Sequence, residues 1–462
     1  MRLCRLVSRG LLCLAFVLHS APLMAGEPDL PRSPLGQNYP LFQASLKEGN
    51  ENELLATPDP EGDLSLEQAL ALTMRHNPQL AASAWQVEEK EGERRQSRLF
   101  PNPDIALEVE NFAGEDDMSG FDAAETTLSV SQLLELGGKR GKRGRIADLE
   151  RDLAHWDQEA RRLDLLTEAT KAYLDVVVAQ QRVAQARSLA KLAHALVRAV
   201  RERVEAGKAS PLEQTRAEVE FASAQLALAR AERELLAARR NLGAFWGGTG
   251  ERFTRATDDL KTRVVVPPFG QLEGLLQNSP ELARWAAEME KKKFERALAG
   301  AEAVPDLTLS LGVRTFQETN GKALVAGVEF PLPVFDRNQG GRQQATAAVY
   351  RARSEYESEK VRARAELFAA YQELRMSHDE LLVLRKDLLP GAERAFEAAN
   401  IGYREGKFSF LEMVDAQRTL FEVRGQYVDA LARYHRSRIT IERLIATPLE
   451  LVTGKKAGME DK

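Results

Sequence analysis

From Gly141 to Glu205 the chain runs 65 residues without a proline, and its apolar positions recur at alternating steps of three and four. Ile146, Leu149, Leu153, Trp156, Ala160, Leu163, Thr170, Leu174 and Val177 fall on this heptad seam, which predicts one long helix. At 1.5 Å per residue that helix is roughly 95 Å long. It cannot bury its stripe alone, so neighbours of similar length are required.

Before the long helix, Ser65 and Gln68 have the spacing of a capping box and open a helix that is interrupted at Asn77-Pro78 and reaches about Leu99. Pro101 and Pro103 end it, and the period then changes to two. Ile105, Leu107 and Val109 alternate with Glu108 and Glu110, and after the acidic loop Gly114 to Asp122 the alternation returns as Thr126, Leu128 and Val130. This reads as a β-hairpin with one apolar and one polar face, its arms long enough to cross a bilayer as tilted strands. After the long helix, Gly207 closes one element and Pro211 opens another helix that runs to about Phe245.

The same plan then recurs at an offset of about 200 residues. Asn278-Ser-Pro280 answers Asn77-Pro78, and a second hairpin follows over 307–330, with Leu307, Leu309, Leu311 and Val313 on one face. A long helix is expected from about Gly341 to Gly402, and Gly406-Lys-Phe-Ser-Phe-Leu-Glu412 answers Gly207-Lys-Ala-Ser-Pro-Leu-Glu213. The organisation expected is therefore a leader at 1–25, an extended segment at 26–63 and a first repeat at 64–246. A connection follows at 247–269, with β-prone Val264 to Val266, then a second repeat at 270–446 and a tail at 447–462.

Composition sharpens this picture. Residues 1–25 carry Arg2, Arg5 and Arg9, an apolar run from Leu11 to Leu18 and a small-residue end at Ala21 to Ala25, the features of a cleaved export signal. Both cysteines, Cys4 and Cys13, lie inside it, so no disulfide or thiolate site is expected in the mature chain. Loss of three arginines and no acid moves the formal charge from −5 to −8, which argues against nucleic acid as a partner. Asp59, Glu61 and Asp63 lack the spacing of a calcium loop and read as solvated turn residues.

The fold class expected is mainly α with membrane β: an internally duplicated coiled-coil barrel with four strands per chain. Four strands cannot close a membrane barrel, and an open edge cannot sit in lipid, so copies of the chain must share one. A periplasmic coiled-coil adaptor is the rival class, but it would carry one helical hairpin flanked by small β domains.

Three stretches resemble signatures of the TolC-type outer-membrane efflux family: Ser131 to Arg140 (Ser-Gln-Leu-Leu-Glu-Leu-Gly-Gly-Lys-Arg), Phe330 to Gly340 (Phe-Pro-Leu-Pro-Val-Phe-Asp-Arg-Asn-Gln-Gly) and Tyr403 to Leu420. The resemblance spans residues 64–446 and is strongest to the CzcC-like branch that serves heavy-metal resistance-nodulation-division pumps. It implies a homotrimer with a shared 12-stranded barrel in the outer membrane and a periplasmic helical tunnel. It implies a passive channel for substrates, heavy-metal cations in that branch, joined by a periplasmic adaptor to an inner-membrane pump. A drug-efflux or type I secretion conduit has the same architecture and stays open as an alternative.

Glu412 and Asp415 sit three apart at the start of a helix. The resemblance makes them carboxylates of the periplasmic entrance constriction, with Tyr403, Arg404, Lys407, Glu213 and Arg216 as restraining partners; ordinary helix-N-terminal acids are the alternative. Gly207, Lys208, Gly406 and Lys407 are the expected adaptor-contacting tips. Gly137 to Gly144 lacks a phosphate-loop arrangement; its Lys139, Arg140, Lys142 and Arg143 suit either lipid phosphates or a plain solvated turn. The histidines are scattered, and His378 falls on the stripe of Leu367, Tyr371, Leu374 and Leu381 as a packed seam residue. No metal site, cofactor or catalytic constellation is expected.

Overall fold

The computed structural model describes residues 35, 39, 59–116, 120–257 and 266–454, all within the unit Ser33–Lys462. The leader at 1–25, most of the 26–63 segment, Val264 and Val265 lie outside the described residues.

The elements are β1 (Gly62–Leu64), α1 (Leu66–His76), α2 (Pro78–Ser97), β2 (Asp104–Glu110), β3 (Glu125–Leu134), α3 (Lys139–Glu205) and α4 (Pro211–Gly243). After β4 (Phe253–Ala256) and α5 (Phe269–Leu275) the plan repeats as α6 (Pro280–Ala301), β5 (Leu307–Phe316), β6 (Gly321–Glu329), α7 (Gln339–Val383), α8 (Leu389–Arg404) and α9 (Phe410–Ile445), and α10 (Leu449–Gly454) follows. Ser65 caps α1 through a reciprocal box with Gln68, while Asn77 caps α2, whose first residue is Pro78.

The 67-residue α3 spans about 100 Å. It packs on α2 and α6 towards the strands and on α4 and α9 towards the opposite end. The seam residues Leu149, Leu153, Trp156, Leu163, Leu174 and Val177 are buried, but the middle of the helix is buried far more widely than one seam provides. Leu165, Leu166, Ala169, Ala172, Tyr173, Val176, Val178 and Ala179 are covered as well, because α1, the β1–β4 pair and α9 close around this level. Arg443 of α9 holds the belt together by bonding Asp164 of α3 and Glu281 of α6. These opposed carboxylates keep its guanidinium charged against the penalty of burial.

Two details correct the sequence expectations. Asp59 is not a solvated turn residue: its carboxylate accepts from Trp246 Nε1 at 3.1 Å, Thr249 N at 3.0 Å, Gly250 N at 3.3 Å and the Thr249 hydroxyl. Burial alone would raise its pKa, but these bonds outweigh burial and hold it below the ordinary aspartate value. The turn it grips brings Gly250 against Gly243, where an added Cβ on Gly243 would stand 2.3 Å from Gly250 N. His378 is only half-buried and bonds Asp379, whereas Ser377 fills the seam and returns its hydroxyl to the Glu373 and Leu374 carbonyls.

The second long helix also departs from a regular α-helix. A π-helical turn at Leu384–Leu388 separates α7 from α8. Pro390 follows two residues after it; it has no N–H for the ladder and its ring crowds the preceding turn, and the widened turn absorbs both.

The strands form one antiparallel sheet of order β2-β3-β5-β6. Its register places Ile105, Leu107, Leu128, Val130, Leu311, Val313, Leu324 and Val328 on one face, where they are exposed. No helix among the described residues is long and apolar enough to cross a membrane. At the sheet–helix joint the basic residues turn inward. Lys139 bonds Asp306 at 2.8 Å, Arg143 bonds Glu135 at 2.7 Å, Lys142 reaches the Gly137 carbonyl at 2.5 Å and Arg140 lies over the Phe100 ring. They lock strand ends to helix starts, which favours neither a free lipid-binding cluster nor a plain solvated turn.

Candidate functional site at the helical tips

The end of the molecule away from the sheet is built by two matching turns. After α3, Gly207 takes the left-handed conformation (φ 67°) and lets Lys208 N reach the Arg203 carbonyl at 2.7 Å; after α8, Gly406 (φ 74°) lets Lys407 N reach Gly402 O at 2.7 Å. Ser210 and Ser409 then cap α4 and α9. Lys208, Arg404 and Lys407 are exposed at these turns, and Lys407 pairs with its neighbour Glu405 at 2.6 Å.

Glu412 serves as a cap. Its carboxylate accepts from Ser409 N at 2.7 Å while Ser409 Oγ accepts from Glu412 N at 3.3 Å. The bond from the Ser409 backbone, then that from its side chain, lowers the carboxyl pKa. Asp415, one turn on, is exposed, and its carboxylate makes no hydrogen bond or ion pair among the described residues. Both acids line a groove of about 590 Å³ between α4 and α9, together with Arg216, Val219, Glu220, Leu411 and Arg418. Arg418 of α9 pairs with Glu220 of α4 across it. The groove thus alternates charge: Arg216 and Glu220 stand four apart on one wall, Asp415 and Arg418 three apart on the other.

Tyr403 belongs elsewhere. Its ring is buried with Val197, Val200, Ala217, Phe410 and Met413, and its hydroxyl has no hydrogen-bond partner among the described residues. Burial raises its pKa; nearby Arg203 opposes the shift and Glu213 adds to it. Arg203, which sequence reasoning overlooked, stacks on this ring and donates to the Tyr403 carbonyl at 2.7 Å, fastening the first tip to the second. The Arg418–Glu220 pair was also overlooked, although Arg418 follows Asp415 at the three-residue step that marks a shared helix face. No group of three or more His, Cys, Asp or Glu residues is arranged to hold a metal ion among the described residues. The tips offer a charged groove and exposed turns.

A family model described as outer membrane efflux protein matches residues 69–248 and 272–447, one stretch for each structural repeat. The chain belongs to this family. It is an outer-membrane efflux channel protein whose helices extend into the periplasm. Among its relatives, the cobalt-zinc-cadmium resistance protein CzcC of Cupriavidus metallidurans is 37% identical over 384 residues, covering 83% of this chain and 90% of that protein. The nickel-cobalt-cadmium resistance protein NccC of Alcaligenes xylosoxydans xylosoxydans is 26% identical over 67% of this chain and 69% of its own length. Solved structures of CusC (TM-score 0.72, 18% identity, 83% of this chain and 92% of that chain) and of VceC from Vibrio cholerae (TM-score 0.71, 19% identity, 83% and 97%) share the fold. This efflux protein thus carries its exposed apolar sheet face at one end of the long helices and its helical tips at the other.

Proposed function

We infer that three copies of this efflux protein close one channel that passes divalent heavy-metal cations outward, delivered by a periplasmic adaptor and an inner-membrane resistance-nodulation-division pump. The supporting observation is that every layer ends on one first-repeat and one second-repeat edge. The sheet ends on β2 and β6. Packing follows the order α2-α3-α6-α7 near the sheet and α4-α3-α9-α8 near the tips. One rotation that seats β6 beside the next copy's β2 also brings α7 to α2 and α8 to α4, so all three layers close together. Three copies give twelve strands, and no edge is then left in lipid.

The cargo assignment rests on the similarity to CzcC across most of both chains. In the trimer, the grooves holding Arg216, Glu412 and Asp415 surround the axis at the periplasmic entrance, where carboxylate rings favour cations. Tyr403 and Arg203 act behind them by fixing the two tips to each other, Glu213 stands beside the buried Tyr403 ring, and Gly207, Lys208, Arg404, Gly406 and Lys407 form the rim that meets the adaptor. The test is growth of a strain lacking the protein on zinc, cobalt, cadmium, copper and lipophilic drugs. Sensitivity to divalent metals, restored by the plasmid-borne gene, is expected; sensitivity to drugs alone would reassign the cargo.

A further inference from the structure

The face of the sheet opposite the apolar one carries Asp104, Glu108, Glu110, Glu125 and Glu329 by register. Arg314 is the one basic residue on that face among the described strand residues; Lys322, paired with Thr315, stands on the apolar side. With the apolar face in lipid, this polar face lines the lumen. Glu110 ends β2 and Glu125 begins β3, so both stand at the outer mouth, at the end of the strands away from the helices.

Glu110 and Glu125 are direct partners in the β2–β3 register, an arrangement in which like charges repel. Arg314 resolves it. From the next strand its guanidinium bonds Glu125 at 3.0 Å and Glu110 at 3.1 Å, while its Nε donates to Thr127 Oγ1 at 2.9 Å. Two carboxylates converge on one cation that the chain itself supplies.

We propose that Arg314 is a specificity-determining residue of the outer mouth: a tethered counter-ion that keeps Glu110 and Glu125 from retaining divalent cargo at the exit. The proposal rests on the reading of the cargo as cations. Conduction requires attraction strong enough for entry and weak enough for release. With Arg314 in place each triad keeps one net negative charge, which draws cations without offering a vacant pair of carboxylates. Without it, two glutamates already held towards a common point present two uncompensated charges to a divalent ion. Adding one such interaction in a partly solvated wall is enough to strengthen binding about tenfold.

The experiment is single-channel recording of the assembled protein in planar bilayers, with potassium chloride as carrier and zinc chloride added on the barrel side. Arg314→Gln should lower the half-blocking zinc concentration about tenfold and raise potassium-over-chloride selectivity. Arg314→Lys should stay near wild type, and Arg314→Gln combined with Glu110→Gln and Glu125→Gln should lose the added block. The Glu110→Gln, Glu125→Gln pair leaves Arg314 uncompensated and should shift the reversal potential towards chloride, which keeps the test open should Arg314→Gln fail to assemble. Unchanged block and selectivity in an assembled Arg314→Gln channel, or an unchanged reversal potential in the double variant, would make Arg314 a strand clamp only and overturn the proposal. Metal tolerance of the deletion strain is a separate readout, so loss of the cargo reading and loss of the Arg314 role are distinguishable.

Discussion

Replacing Asp59 by alanine removes the acceptor for the Trp246 indole, two backbone N–H groups and the Thr249 hydroxyl at once. The exposed Thr249 amide finds water, but Trp246 is fully buried, and its stranded N–H costs about 1–3 kcal/mol. With a partial loss from the other bonds, the junction between α4 and β4 should weaken by about 2–3 kcal/mol. That raises its open population by about thirty- to a hundred-and-fiftyfold. Limited trypsinolysis reads this directly, since Arg239, Arg240, Arg252 and Arg255 flank the turn. Cleavage should accelerate in proportion while opening remains a fast pre-equilibrium. The carboxyl is held below its unfolded value, so its contribution is complete above about pH 4 and is lost as pH falls through the folded pKa. Protection of the wild-type junction, followed by amide hydrogen exchange because trypsin is inactive in acid, should therefore decline below about pH 4, whereas Asp59→Ala should show no such step. Equal cleavage of wild type and Asp59→Ala at pH 7 would refute the anchoring role.

Glu412→Gln with Asp415→Asn should lower cation selectivity and weaken divalent block from the periplasmic side while leaving assembly intact, because glutamine still accepts the Ser409 N–H of the capping box; unchanged recordings would reduce both acids to helix-end charges. Cysteines introduced at Glu115 and Lys208 should label oppositely with an impermeant reagent on intact cells, Glu115 reacting and Lys208 protected, and equal labelling would refute the topology.

Much of the fold is legible from periodicity, because a two-residue alternation and a heptad seam are unambiguous over ten and sixty residues. What escapes is whatever is too short or too distant in sequence to have a period. β1 and β4 have three and four residues and pair in parallel across just over 190 positions, so neither carries a strand pattern. Asp59 grips a turn equally remote from it, and nothing in its neighbourhood distinguishes it from a loop acid. Pro390 was visible, yet its effect depends on α9 holding both halves of the long helix in line across the π turn. At the tips the repeat revealed the turns and Glu412, but whether Tyr403 faces the passage or the core depends on Arg203 two hundred residues away.

The central claim is that one chain supplies a third of a closed channel, its β2 and β6 edges completed by copies of itself. Light scattering of the protein extracted from outer membranes in detergent tests this most directly, after correction for bound detergent. Three chains per particle is the predicted result; a stable particle of one chain, with both sheet edges unpaired, would contradict it.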